Sequence, residues 1–386
     1  MKPHRILIFS LVYYPRSIGG AEVAVKEITD RISPSEIEFD MITMRKHAPA
    51  FERVGNVNVY RVGLPWFGSG TKSSQIFPLS KLLFPFLAFF KALSLCKKNK
   101  YDATWSVMAS YAGFAAMLLR KAKPSIPFIL TIQEGDNFER REGIFKPFYK
   151  MIFRAADKIQ VISNYLAEWS RHMGAKEAIV VVPNGVNYDH FSKQAAEVEK
   201  RNIQGKINKN AGDILLITTS RLVPKNAVGD IISSLRHLPD NVKLIVLGTG
   251  RDENKLKSLS LELGVSGRVE FLGFVSHVDM PAYLQACDIF IRPSLSEGFG
   301  NSFIEAMAAG IPVIATPVGG IVDFLVDCET GLFSEVGNPK SIADQVNKLL
   351  SDNVLKTKII EQAKIMVKEK YDWDGVALEM KEFLLK

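Results

Sequence analysis

The stretch Ser294-Leu295-Ser296-Glu297-Gly298-Phe299-Gly300-Asn301-Ser302-Phe303-Ile304-Glu305-Ala306-Met307-Ala308-Ala309-Gly310-Ile311-Pro312-Val313-Ile314-Ala315-Thr316 carries the fold in miniature. The apolar run before it ends at Arg292 or Pro293. A loop with two glycines follows, a helix begins near Ser302, and a second apolar run appears at Val313–Ala315. Strand, loop, helix and strand in this order predict parallel strands with a helix on one face of the sheet.

The same alternation continues in both directions. Upstream, strands are predicted at Arg5–Ser10, Phe39–Met44, Val57–Val62, Ala103–Met108, Pro127–Thr131, Lys158–Ser163 and Ile179–Val182. Nearer the quoted stretch they are predicted at Ile214–Ser220, Val242–Gly248, Val269–Gly273 and Asp288–Arg292, with helical patterns between them. Several strands are continuous apolar runs, such as Leu244-Ile245-Val246-Leu247, as expected of strands covered on both faces. The polar segment Ser192–Asp213 has little periodicity and reads as a linker or surface helix. The expected class is therefore α/β, with two Rossmann-like, doubly wound parallel-sheet domains facing across a cleft. No internal repeat is visible.

Composition narrows the function classes. The 386 residues are 47% hydrophobic and 23% charged, enough for about two domains with their own cores. Cys96, Cys287 and Cys328 share no C-x-x-C spacing, and the six histidines stand singly, so no metal cluster is expected. An odd cysteine count and the lack of an export signal suit a cytoplasmic protein. The formal charge is +8, and Arg53–Tyr101 holds eight cations and no acid, equal to the whole excess. Within it, Phe77–Lys100 joins Phe84, Phe86, Phe89 and Phe90 to Lys81, Lys91, Lys97, Lys98 and Lys100. The apolar part, Leu82–Leu95, is shorter than the ~20 residues needed to span a bilayer. It suits either peripheral attachment to an anionic inner membrane face or a core helix with solvated lysines.

Three loops carry candidate chemistry. In the quoted stretch, Gly298 and Gly300 allow close backbone approach, and the helix start supplies unpaired N–H groups from Gly300 through Asn301 and Ser302 to Phe303. Glu297 and Glu305, eight positions apart, beside an anion site suit a ligand bearing both hydroxyls and phosphate, such as a sugar nucleotide. Ser302-x-x-Glu305 also reads as a capping box, with Glu305 merely closing the helix end. Arg221 and Lys225 follow a strand and suit phosphate, although cations there are often only solvated. Gly19, Gly20 and Glu22 lie between the first strand and first helix, without the G-x-G-x-x-G or Walker pattern.

Together these residues resemble the retaining family 4, or "group 1", glycosyltransferases with the GT-B fold, most specifically from Ile214 to about Val336. The resemblance implies the fold just described. It implies an acceptor-binding domain at 1–190, a nucleotide-sugar-binding domain at 191–365, and a terminal helix at 366–386 returning to the first domain. It implies that Arg221 and Lys225 meet the donor diphosphate, Glu305 the ribose and Glu297 the transferred sugar. Gly298, Phe299, Gly300, Asn301, Ser302, Gly248, Gly250, Phe274 and Val275 would complete the donor site, with Gly19, Gly20 and Glu22 on the acceptor side. The donor would be a UDP- or GDP-sugar, the acceptor a carbohydrate or lipid-linked saccharide, and no metal would be needed. Three departures stand out, one of them Asp323 where Glu is common after Gly319-Gly320. Gln133, followed by Glu134 and Asp136, occupies the place of a cleft histidine, so these three become candidates for its catalytic role. Lys225-Asn226-Ala227 replaces the usual Lys-Gly. Two other readings compete. One is a GT-B-like sugar-nucleotide epimerase, which would need several acid–base groups around one sugar. The other is a basic nucleic-acid-binding protein, although no nucleic-acid motif accompanies the basic run and no nucleic-acid partner is expected.

Overall fold

The computed structural model describes residues 2–15, 19–45, 48–63, 73–133, 143, 145–176, 178–207 and 209–386, with backbone alone for 73–79. The chain divides into two compact units, Met1–Asn184 with Trp373–Lys386, and Gly185–Asp372.

The first unit is built on an eight-stranded sheet: β1 (His4–Phe9), β2 (Ile37–Met44), β3 (Phe51–Val54), β4 (Val57–Val62), β5 (Ala103–Val107), β6 (Phe128–Ile132), β7 (Lys158–Val161) and β8 (Ile179–Val181). Their order is β3-β4-β2-β1-β5-β6-β7-β8. Seven strands run parallel, and β3 alone pairs antiparallel, on β4. The sequence reading missed β3. It is a short edge strand of mixed polarity, joined to β4 through Gly55-Asn56, and an edge strand lacks the two-sided apolar signature.

The second unit holds β9 (Ile214–Thr219), β10 (Val242–Leu247), β11 (Val269–Gly273), β12 (Ile289–Arg292), β13 (Val313–Ala315) and β14 (Leu332–Phe333). All are parallel, in the order β11-β10-β9-β12-β13-β14. Leu216, Leu244, Val246 and Ile291 line one core with Ile231, Ile232, Ile342 and Val346 from helices Val228–Ser234 and Pro339–Ser351. Each such buried side chain contributes ~1.5–3 kcal/mol.

Each sheet reverses direction once. In the first unit β2 and β5 flank β1, and in the second β10 and β12 flank β9. The connections leaving β1 and β5, and those leaving β9 and β12, therefore start side by side and lead toward opposite edges of the sheet. In open α/β sheets, ligands bind at such points, outside the carboxyl ends of the strands.

Two helices complete the positional frame. Helix Trp373–Leu385 lies in the first unit, where Trp373, Val376, Met380, Phe383 and Leu384 are buried with Ala24, Val25 and Ile28 of helix Gly20–Arg31. Arg31 Nε donates to Asp374 Oδ1 at 2.7 Å beside that contact. Helix Ser73–Cys96 buries Phe84, Ala88, Ala92 and Leu95 and exposes Leu82, Leu83, Phe86, Leu87 and Phe90. Among the described residues no helix is long and apolar enough to cross a membrane.

Candidate functional site

The loops leaving β9 and β12 lie side by side because their strands are neighbours. Leu295 N–H donates to the Lys225 carbonyl at 2.7 Å, joining the two loops directly. The 3₁₀ turn Pro224–Asn226 brings Lys225 inward, and Asn226 Nδ2 donates to the Arg221 carbonyl at 2.7 Å. The Arg221 side chain is exposed beyond this turn.

Glu297 is only 7% exposed. Arg292 donates to its Oε2 at 2.5 Å, and Lys225 Nζ lies 4.0 Å from its Oε1. A buried carboxylate requires such pairing. Its backbone is equally fixed. Gly320 N–H donates to the Glu297 carbonyl at 3.1 Å, and Gly319 sits at φ +57° so close that a Cβ would lie 1.8 Å from that oxygen. Only glycine fits there.

Helix Asn301–Ala309 begins after Gly300, its N-cap, which has φ +101° and no side-chain cap. The capping-box alternative is thereby overturned. Ser302 lies inside the helix, where its Oγ accepts from Arg292 at 2.8 Å, and Glu305 Oε1 meets His277 Nε2 at 3.2 Å. Phe303 N–H donates to the Gly300 carbonyl at 3.1 Å, so that group is spent, contrary to the expectation that it serves a ligand. His277 belongs to the segment after β11, which also carries Phe274, 81% exposed, and Val275. His190 stacks on His277 with ring centroids 6.1 Å apart.

Two expected donor-site elements have structural duties. Phe299 is 1% exposed and lies against Phe324 and Tyr371, with ring centroids 5.3 and 5.7 Å away, so its side chain anchors the loop. Burial, with Asp323 adding, pushes the Tyr371 phenol up to about 12. Gly248 and Gly250 face backbone. A Cβ at Gly248 would lie 1.9 Å from the Ser220 carbonyl oxygen, and Gly248 N–H already donates to Gly273. Their smallness sets the path of the Arg221 turn.

The other candidates fall in the first unit. Gly19 caps helix Gly20–Arg31, Glu22 lies in its first turn, and the space beside Gly20 is open. The chain entering this loop is held by Arg61, which donates to the Tyr14 carbonyl at 2.8 Å. Burial, with Glu27, Glu22 and Asp30 adding, raises the Tyr14 phenol above its ordinary value. Gln133 follows β6 and is half-buried, while Glu134 and Asp136 lie outside the described residues. Among the described residues, no three His, Cys, Asp or Glu side chains gather as a metal-ligand set.

The sequence reading did not single out Arg292, Asn226 as a ligand of backbone, His277 or Gly319. One signal was available, because a cation closing an otherwise apolar strand needs a counter-charge, and Glu297 stands five residues on.

Comparison with known proteins agrees with this architecture. Residues 199–366 match the family described as Glycosyl transferases group 1, and residues 18–190 match Glycosyltransferase Family 4. An uncharacterized glycosyltransferase of Methanocaldococcus jannaschii is 29% identical over 97% of this chain and 96% of its own. The N,N'-diacetylbacillosaminyl-diphospho-undecaprenol alpha-1,3-N-acetylgalactosaminyltransferase of Campylobacter jejuni is 29% identical over 71% of this chain and 74% of its own. The solved sucrose-phosphate synthase of Thermosynechococcus elongatus superposes with a TM-score of 0.82 at 20% identity, over 99% of this chain and 98% of that one, a likeness of fold. With both halves matched and both parallel sheets in the GT-B arrangement of strands, the chain belongs to the group 1 and family 4 glycosyltransferases and is a nucleotide-sugar-dependent enzyme.

Proposed function

We propose that the enzyme transfers a sugar from a UDP- or GDP-sugar to a hydroxyl of a carbohydrate or lipid-linked saccharide, with retention and without metal. The observation that carries this reading is the Glu297 carboxylate, buried between Arg292 and Lys225 beside the start of helix Asn301–Ala309. Arg221, Lys225 and the N–H groups of Asn301 and Ser302 would meet the diphosphate as negative charge builds on it. A preorganised donor of this kind lowers the barrier by on the order of 3 kcal/mol. Glu305 would take the ribose hydroxyls in place of His277, and Phe274 and Val275 would meet the base. Glu297 would hold the transferred sugar. Gly19, Gly20 and Glu22 would face the acceptor, with Gln133 and its neighbours Glu134 and Asp136 as the groups to test for its deprotonation. The Campylobacter relative, named for an undecaprenol-linked substrate, favours a lipid-linked acceptor. The enzyme would then work at the inner face of the cell membrane.

The test is direct. Glu305→Ala should weaken nucleotide binding at least tenfold, whereas Glu297→Ala should lower kcat more than nucleotide affinity. Arg221→Ala and Lys225→Ala should both reduce kcat. Transfer should persist in excess EDTA. Folded variants that keep wild-type rates would reject the site, and chelator-sensitive activity restored by Mg²⁺ would reject the metal-free route.

A further inference from the structure

Arg292 closes β12, and its side chain is only 11% exposed. Besides Glu297, its Nη2 donates to Asn226 Oδ1 at 3.1 Å, and its Nη1 donates to Ser302 Oγ at 2.8 Å. Its guanidinium carbon lies 5.4 Å from the centroid of the Phe303 ring, which it covers. Asn226, 2% exposed, passes the connection on to the Arg221 carbonyl. One largely buried cation thus joins the turn after β9 to the loop after β12 and the first turn of the helix that continues it. Their meeting depends on β9 and β12 being neighbours where the sheet reverses.

A guanidinium suits this position, because it is planar, always charged and donates in several fixed directions, whereas an ammonium is a point charge. A buried carboxylate follows its buried cation, since separating them strands both charges. Wherever Arg292 stands, Glu297 must stand with it, and Asn226 carries the same constraint to Arg221.

We propose that Arg292 is a positioning residue for sugar transfer, fixing Glu297 against the donor sugar and, through Asn226, fixing the turn that presents Arg221 to the diphosphate. The proposal rests on the donor-site reading above. A merely structural arginine would affect nucleotide binding and turnover together, whereas a positioning one separates them.

The experiment measures UDP and GDP affinity, donor KM and kcat for Arg292→Met, Arg292→Lys and Asn226→Ala. Nucleotide affinity should fall by a few-fold at most, far less than kcat. In Arg292→Met, kcat should fall on the order of 100-fold, the scale of a misplaced reacting group. Arg292→Lys should recover part of that loss, and Asn226→Ala should lose about tenfold. In a Glu297→Gln background, Arg292→Met should cost less than about threefold more, because the two act as one unit. Wild-type kcat in folded Arg292→Met, or full independent losses in the double variant, would overturn the proposal. Should Arg292→Met fail to fold, Arg292→Lys and Asn226→Ala decide by the same split between affinity and turnover. Glu305→Ala is run alongside. If it keeps full nucleotide affinity, the donor site is misassigned and this proposal falls with it. If it loses affinity while the Arg292 and Asn226 variants turn over normally, the site stands and the positioning role is rejected.

Discussion

At the residue scale, the Lys225-Asn226-Ala227 departure shows how one turn can be built with different chemistry. Ala227 has φ +49°, in the left-handed region where a Cβ costs roughly 1–2 kcal/mol. Asn226 supports the turn by bonding both the Arg221 carbonyl and Arg292. Ala227→Gly should therefore stabilise the protein, since relief of the left-handed strain exceeds the ~0.5–1 kcal/mol entropy cost of glycine. The expected gain is about 0.5 kcal/mol, read as a higher urea midpoint at unchanged slope, and a lower midpoint would contradict it. Glu297 and Glu305 could be named as candidates from residue type and spacing, and Arg221 and Lys225 mainly from the family resemblance. Arg292 and His277 could not, because their significance lies in partners from other loops.

At the scale of elements, helix Ser73–Cys96 has one side in the core and another exposed. Phe84, Ala88, Ala92 and Leu95 are core, while Leu82, Leu83, Phe86, Leu87 and Phe90 remain exposed. Helix Lys146–Ala155, whose apolar residues are broken by Lys146, Lys150 and Arg154, exposes Phe148 and Met151, with Phe145 at its cap. One lysine departs from expectation, for Lys91 Nζ lies 4.7 Å from the centroid of the Tyr60 ring. Lys97, Lys98 and Lys100 are exposed. If this face meets anionic lipid, each cation near the surface adds ~1 kcal/mol. Flotation should then show binding to anionic but not neutral liposomes, weakened by salt, by Lys97→Glu with Lys98→Glu, and by Phe86→Ser with Phe90→Ser. No flotation with either lipid would reject membrane attachment and leave a soluble acceptor.

At the scale of the whole molecule, the final helix joins the chain's last residues to its first unit. Trp373, Val376, Met380, Phe383 and Leu384 bury apolar surface worth ~2 kcal/mol each, together comparable to the 5–15 kcal/mol that stabilises a typical domain. Trp373→Ala should cost about 3–5 kcal/mol. The loss should appear as lower thermal stability of the unit carrying β1–β8, with nucleotide binding by Gly185–Asp372 retained in the cold. Equal loss in both units, or none, would contradict this division.

The sequence by itself determined the class of fold, because strands covered on both faces must be apolar throughout and so are visible without any partner. It also determined the loop from Glu297 to Glu305, where glycine, carboxylate and helix start are local features. Edge strand β3 and the two-residue β14 carried too little apolar signal to be read. Only the tertiary structure decided that Glu305 serves His277 rather than a cap, that Phe299 is core, and that Arg292 holds Glu297, Asn226 and Ser302 together. The reason is physical. These contacts join loops that the order of strands brings side by side, and no local spacing in the chain encodes which loops will meet.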